Sequence, residues 1–264
     1  MSKKIDFCIV GPQRTSTSWI YKQLVGSSLV NLPTKVKETF FFDTKFKKGF
    51  SYYFSLFNHF DRSKISGEIG PTYFHSEQAA LNIKSHNPDC KIIIVYRDPV
   101  DKAISLYQHH LRKGRVGQDF KKASIKIPEI ISSGYYDKHT KMWKHHFGEQ
   151  NVKLVSFDKI RNNPGAFLSE ITSFLGIETI YVSTKAAKKM NQSSYPRFPF
   201  IARFFAKGAT LLRKHDWHSL SEFGKVLGLQ SVFTGGTNDR DYSEEEKWLK
   251  TKFSEADFLN FSDS

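Results

Sequence analysis

An apolar run near the start of the chain is followed at once by a loop rich in hydroxyl groups, and this stretch limits the possible folds. Residues 5–10 are almost continuously apolar, which is typical of a strand buried on both faces of a sheet. Gly11 and Pro12 end the run, and apolar side chains with helical spacing begin at Trp19. The stretch therefore predicts a buried strand, a tight loop and a helix in direct succession.

The predicted loop carries the guanidinium of Arg14 and four hydroxyl groups at residues 15–18. A helix N-terminus attracts phosphate through its unpaired N–H groups and the positive end of its dipole. The loop is not a Walker A motif, because no second glycine and no lysine follow Gly11 at the required spacing. An ordinary Ser/Thr-capped helix remains the alternative for this loop taken alone.

A second candidate phosphate ligand follows residues 91–96, the clearest buried strand in the chain. Arg97 comes directly after this strand, and Asp98 and Pro99 are typical first residues of a helix. Ligands of open α/β sheets bind at the carboxyl ends of strands, and a guanidinium suits bidentate contact with phosphate. We therefore expect Arg97 to bind phosphate; a salt-bridged arginine in a strand–helix turn is the alternative.

The rest of the sequence alternates between strand and helix patterns. A further strand is predicted at residues 152–157, and helices at 76–85, from 128 onward, at 163–176 and at 244–258, whereas 114–127 is predicted to be a loop. This alternation predicts an α/β fold, a single three-layer domain over residues 1–264 with a central parallel sheet flanked by helices. The part after about residue 180 is predicted to be a basic, helical region that covers the acceptor and the cofactor.

Glu38 is the candidate general base. It stands between a lysine-rich stretch and three phenylalanines, and a carboxylate beside both an apolar wall and cations can be tuned for proton transfer. A surface glutamate beside a core aromatic strip is the alternative. Glu68 and His75 are the second choices for the base, and His109 and His110 are expected to be structural or exposed to solvent.

Composition limits the partners and the compartment. The chain has 40 Lys and Arg against 26 Asp and Glu, a formal net charge of +14, which favours an anionic partner or, alternatively, a basic protein without one. Its two cysteines cannot form a disulfide framework. The sequence shows no signal-peptide pattern, and no apolar run in it approaches the ~20-residue length of a membrane span. We therefore expect a cytoplasmic protein. No His or Cys spacing predicts a metal site.

Three segments together resemble the sulfotransferases that use 3′-phosphoadenosine 5′-phosphosulfate. Residues 11–19 are similar to the loop that binds the 5′-phosphosulfate, and residues 93–107 to the 3′-phosphate motif, with Arg97 and Ser105 at its two contact positions. Residues 38–43 resemble the segment of the heparan sulfate branch whose glutamate acts as base. Ile69 departs from that branch, which usually has lysine there. The Lys-Gly-Arg element of those enzymes is not evident, and residues 191–197 are its expected replacement.

The resemblance implies transfer of a sulfuryl group to a hydroxyl or amine of a small-molecule or glycan acceptor, with no metal and no nucleic acid involved. The heparan sulfate branch implies a carbohydrate acceptor. Glu38 and Arg14 would be catalytic, with Arg14 stabilising charge on the leaving phosphate. The implied cofactor-binding residues are Gly11, Gln13, Arg14, Thr15, Ser16, Thr17, Ser18, Arg97, Ser105, Ser193 and Arg197. Two alternatives remain, a P-loop-type small-molecule kinase and a non-catalytic basic module that binds polyanions.

Overall fold

The computed structural model describes residues 3–183 and 240–254, and the backbone of two short strands at 195–196 and 234–236. Structural statements below refer to these residues. Ser193 and Arg197, two of the predicted cofactor ligands, lie outside them.

A five-stranded parallel sheet forms the centre of the fold, as the alternating pattern predicts. Its strands are β1 (Phe7–Gly11), β2 (Val30–Asn31), β3 (Ile65–Ile69), β4 (Lys91–Tyr96) and β5 (Val152–Ser156). Their order in the sheet is β2-β3-β1-β4-β5, and Ile9 of β1 pairs with Ile69 on one side and Ile93 on the other. The chain leaves β1 towards β2 and leaves β4 towards β5, so its direction reverses between β1 and β4. Ligands of open α/β sheets bind at such a switch point.

Helices and tight turns connect these strands. The helices are α1 (Thr17–Leu24), α2 (Gly49–Ser55), α3 (Glu77–His86), α4 (Pro99–Arg112), α5 (Phe120–Lys126), α6 (Glu129–Ser132), α7 (Tyr136–Phe147), α8 (Phe157–Asn162), α9 (Pro164–Leu175) and α10 (Ser243–Ser254). A π-helical turn spans Phe41–Lys45, and 3₁₀ turns span Phe46–Lys48, Tyr73–His75 and Glu149–Asn151. Strands β6 (Tyr195–Pro196) and β7 (Thr234–Gly236) form an antiparallel pair.

The prediction of a loop at residues 114–127 is wrong for half of the segment, which forms α5. Asp119 caps this helix by accepting a hydrogen bond from the backbone N–H of Lys122, and Phe120 and Ala123 are buried on one face. Its three lysines are all exposed, and together they make the segment read as a basic loop. The helix packs with the neighbouring α4 and with α10, which is distant in sequence.

The core lies on both faces of the sheet. On β1, Cys8 and Val10 join one apolar cluster, whereas Phe7 and Ile9 join the other. This alternation explains the continuous apolar run, because both faces of the strand are covered. The cluster on the Cys8 face contains many aromatic side chains of residues 41–60, and Phe41, Tyr53 and Phe54 are buried in it.

No helix within residues 3–183 and 240–254 combines the length and the apolar character needed to cross a bilayer.

Candidate active site

The loop after β1 has an unusual backbone. Gly11 has a φ of +98°, and Arg14 and Ser16 adopt left-handed φ values of +72° and +60°. A Cβ at Gly11 would lie 2.7 Å from the Cα of Pro71, so the loop needs glycine there for space as well as for φ. Left-handed residues in a loop before a helix can turn neighbouring N–H groups toward one concave side, as in an anion-binding nest.

The loop is fixed from inside by Thr15. Its fully buried hydroxyl donates a hydrogen bond of 2.7 Å to the carbonyl oxygen of Pro12. Thr17 is also buried, in the first turn of α1, whereas Gln13 and Ser16 are half-buried and Ser18 is exposed. The predicted set of hydroxyls therefore divides into two that are buried and two that reach the surface.

The N-terminus of α1 lacks the side-chain cap that the Ser/Thr pattern offers as the ordinary alternative. Ser16 occupies the N-cap position, but its hydroxyl accepts no hydrogen bond from the helix. In contrast, α3, α4, α8 and α9 each begin with a side chain that accepts such a bond. The first turn of α1 thus keeps the N–H groups that attract an anion at a helix start.

Arg14, Ser105 and Arg97 come together at the switch point between β1 and β4. The Nε of Arg14 donates to the Oγ of Ser105 at 3.0 Å, and Nη1 of Arg97 lies 3.5 Å from the carbonyl oxygen of Arg14. These residues are as much as 91 positions apart in sequence. The two predicted phosphate motifs therefore face one shared site.

Arg97 is held in place from three sides. Its guanidinium lies over the ring of Phe157 at 4.7 Å and its Nη2 contacts Asp101 at 3.2 Å, while its backbone N–H donates to the hydroxyl of Tyr136. Within the described part of the chain, its buried Nε has no hydrogen-bond partner. An oriented guanidinium with a remaining donor is suited to phosphate. Sequence analysis placed Phe157 at the end of a predicted strand and gave it no role at the site, whereas the structure has it as the first residue of α8.

Lys37 links Glu38 to the start of α1. Its Nζ lies 2.7 Å from Oε1 of Glu38 and donates to the hydroxyl of Ser18 at 3.0 Å. The two side chains are 25% and 29% exposed, so both are sheltered but reachable. Sequence analysis proposed Glu38 but missed Lys37, for which the signal was a cation directly before the candidate base.

Glu68 is hydrogen-bonded to the segment that carries Glu38. This fully buried side chain accepts hydrogen bonds of 2.6 Å at Oε1 from the hydroxyls of Thr39 and Tyr73. Burial raises the pKa of Glu68. Glu68 has no access to solvent and already accepts two hydrogen bonds. One of them comes from Thr39, the residue after Glu38, so Glu68 stabilises this segment from inside the core. Ile69, the departure noted above, is also fully buried in the core.

Burial disfavours the charged form of two histidines considered in the sequence analysis, His109 and His75. Burial, together with the positive charge of Arg14, lowers the pKa of His109 to about 3. Burial also lowers the pKa of His75, the other second choice for the base. The positive charge at the switch point therefore comes from the arginines and not from histidine.

Comparison with known proteins agrees with this geometry. Residues 4–209 match the family described as "Sulfotransferase domain". The chain is 28% identical over 207 residues to bifunctional heparan sulfate N-deacetylase/N-sulfotransferase 4 of Mus musculus, covering 68% of this chain and 23% of that protein. It is 31% identical over 152 residues to heparan sulfate glucosamine 3-O-sulfotransferase 3B1 of Homo sapiens, covering 54% of this chain and 39% of the relative. The chain thus spans less than half the length of these relatives.

A solved structure has the same fold. The sulfotransferase from Alicyclobacillus acidocaldarius superposes with a TM-score of 0.61 at 24% identity, covering 73% of this chain and 87% of that one. Together with the family match over most of the chain, this likeness completes the assignment that the motifs predict. The chain belongs to the sulfotransferase domain family.

Proposed function

We propose that this chain transfers a sulfuryl group from 3′-phosphoadenosine 5′-phosphosulfate to an acceptor hydroxyl or amine. The observation that carries the proposal is the contact of Arg14 with Ser105, beside Arg97. It joins a loop suited to a 5′-phosphate to a strand end suited to a second phosphate. A donor with phosphates at both the 5′ and 3′ positions of its ribose fits two such neighbouring sites.

The binding roles follow from this placement. Arg97 and Ser105 hold the 3′-phosphate, since the guanidinium of Arg97 is oriented by Phe157 and Asp101. The nest after β1 and the uncapped start of α1 hold the 5′-phosphate. Gln13 and the hydroxyls of Ser16 and Ser18 line the reachable side of this loop. Ser193 and Arg197 remain predicted ligands.

The chain's residues supply general base catalysis and charge stabilisation. Glu38 accepts the proton of the acceptor hydroxyl while the acceptor oxygen forms a bond to sulfur and the bond from sulfur to the 5′-phosphate oxygen breaks. The electron pair of the broken bond stays on the phosphate, where Arg14 and the loop N–H groups stabilise it. General base catalysis typically contributes about 10²–10⁴-fold. No step requires a metal.

We propose an acidic glycan as the acceptor. The relatives named above are heparan sulfate enzymes, and this chain has a formal charge of +14. Lys35, Lys47 and Lys48 are exposed on the segments that flank Glu38. A positive surface beside the base raises the local concentration of a polyanionic acceptor.

A thermal-shift panel tests the proposed donor against the two alternatives. We expect 3′-phosphoadenosine 5′-phosphate to raise the melting temperature most, because a ligand at 100 times its Kd stabilises a fold by about 2.7 kcal/mol. Selective stabilisation by ATP would instead support a kinase. Stabilisation by heparin alone, lost steeply with salt, would support a non-catalytic polyanion-binding module.

A further inference from the structure

We propose, resting on the proposed function, that Lys37 is a catalytic residue whose ammonium contacts the sulfuryl group during transfer. Lys37 is not among the residues that the motifs assign. It is the cation placed between the candidate base and the loop that is proposed to hold the donor.

The position of the ammonium carries this inference. Nζ of Lys37 is 2.7 Å from the carboxylate of Glu38 and 3.0 Å from the hydroxyl of Ser18. Glu38 marks the side from which the acceptor approaches, and Ser18 lies in the first turn of α1, on the donor side. The sulfuryl group must pass between these two sides, so the ammonium of Lys37 lies on its path.

The arginines of the site are oriented elsewhere. Arg14 directs its Nε to Ser105 on α4, and its charge acts on His109 of the same helix. Arg97 stacks on Phe157 and contacts Asp101. Both guanidinium groups therefore lie on the α4 side of the site, whereas Lys37 lies on the side of Glu38. Strand β3 ends in the buried, apolar Ile69 and supplies no cation there.

In this arrangement two cations, Arg14 and Lys37, stabilise the negative charge at different oxygen atoms during the reaction. As the bond to the acceptor oxygen forms and the bond to the 5′-phosphate oxygen breaks, Arg14 acts on the leaving oxygen and Lys37 on the non-bridging sulfuryl oxygens. The acceptor proton goes to Glu38. An ammonium with three donors can exchange its contact with Glu38 for a sulfuryl oxygen while it keeps its bond to Ser18.

Calorimetry with two ligands isolates the contact to the sulfuryl group. Lys37→Ala is titrated with 3′-phosphoadenosine 5′-phosphosulfate and with the desulfated 3′-phosphoadenosine 5′-phosphate, beside wild type. Because a hydrogen bond to a charged group has a large effect, we expect Lys37→Ala to weaken the sulfated ligand by about 10- to 100-fold. The desulfated ligand should change by less than about 3-fold, the size of an exposed charge effect.

Two variants serve as controls. Lys35→Ala removes an exposed lysine two residues away with the same loss of charge, and should alter neither affinity. Lys37→Arg retains a cation and should recover most of the preference for the sulfated ligand. The melting temperature of each variant checks that the fold is intact.

The outcomes separate this inference from the proposed function. If wild type binds neither ligand, the proposed donor is wrong and the role of Lys37 falls with it. If wild type binds both but Lys37→Ala weakens them equally, or changes neither, only the role of Lys37 is overturned. A selective loss of the sulfated ligand, restored by arginine, supports it.

Discussion

Replacement of Arg97 by alanine tests the site most directly, because this residue is expected to recognise one phosphate and not the rest of the ligand. The side chain is 21% exposed and is already oriented by the Phe157 ring and by Asp101. Little conformational entropy is therefore lost when it binds. Arg97→Ala should remove the recognition of the 3′-phosphate and leave the loop after β1 in place.

The size of the effect follows from the contacts that a guanidinium makes. Within the described residues, Arg97 has a buried Nε without a hydrogen-bond partner, and its Nη2 contacts the exposed carboxylate of Asp101. Two charge-assisted bonds at about 1.5–3 kcal/mol each give a loss of about 3–6 kcal/mol. At 1.36 kcal/mol per factor of ten, the affinity should fall by roughly 10²–10⁴-fold.

Isothermal titration calorimetry with two nucleotides measures this loss of affinity. Wild type and Arg97→Ala are each titrated with 3′-phosphoadenosine 5′-phosphate and with adenosine 5′-phosphate, which lacks the 3′-phosphate. Asp101→Asn is the matched control, because it removes the ion-pair partner of Arg97 and keeps the guanidinium. We expect that control to change either affinity by less than about 3-fold, as for other exposed pairs.

Equal losses for both nucleotides in Arg97→Ala would refute the reasoning. Such a result would mean that Arg97 supports the fold of the site through Phe157 and Arg14, and not the 3′-phosphate. Loss confined to the 3′-phosphorylated ligand would place that phosphate at the end of β4.

Three further outcomes are expected. Glu38→Gln should lower sulfuryl transfer by about 10²–10⁴-fold and leave nucleotide affinity nearly unchanged, and turnover close to wild type would exclude Glu38 as the base. Gly11→Ala should destabilise the protein by about 1–3 kcal/mol in urea unfolding, because the new Cβ meets Pro71 at 2.7 Å and φ is +98°; an unchanged midpoint would contradict this. Burial lowers the pKa of Lys102 from 10.5 to about 7, although its Nζ contacts the hydroxyl of Ser133. The unfolded chain therefore binds one more proton between these values, so stability should rise with pH from about 7 to 10, by at most about 1.4 kcal/mol per unit, and this slope should vanish in Lys102→Met.

Local patterns were sufficient to predict most elements and the motifs. A strand buried on both faces has a continuous apolar run, and helix starts have recognisable residues, so β1, β4 and α4 could be predicted from short windows of sequence. The loop at residues 11–18 and the position of Arg97 after a strand follow from the same local patterns. The helix α5 was missed because its apolar stripe is short and one of its partners, α10, is distant in the chain.

Only the tertiary structure decided which of these residues meet. The strand order brings β1 beside β4, and this crossover places Arg14 in contact with Ser105 across 91 positions of sequence. It also buries Glu68 beneath Thr39 and sets Lys37 between Glu38 and Ser18. The physical reason is that backbone propensities and apolar spacing act over a few residues, whereas the pairing of strands is determined by burial of the whole core.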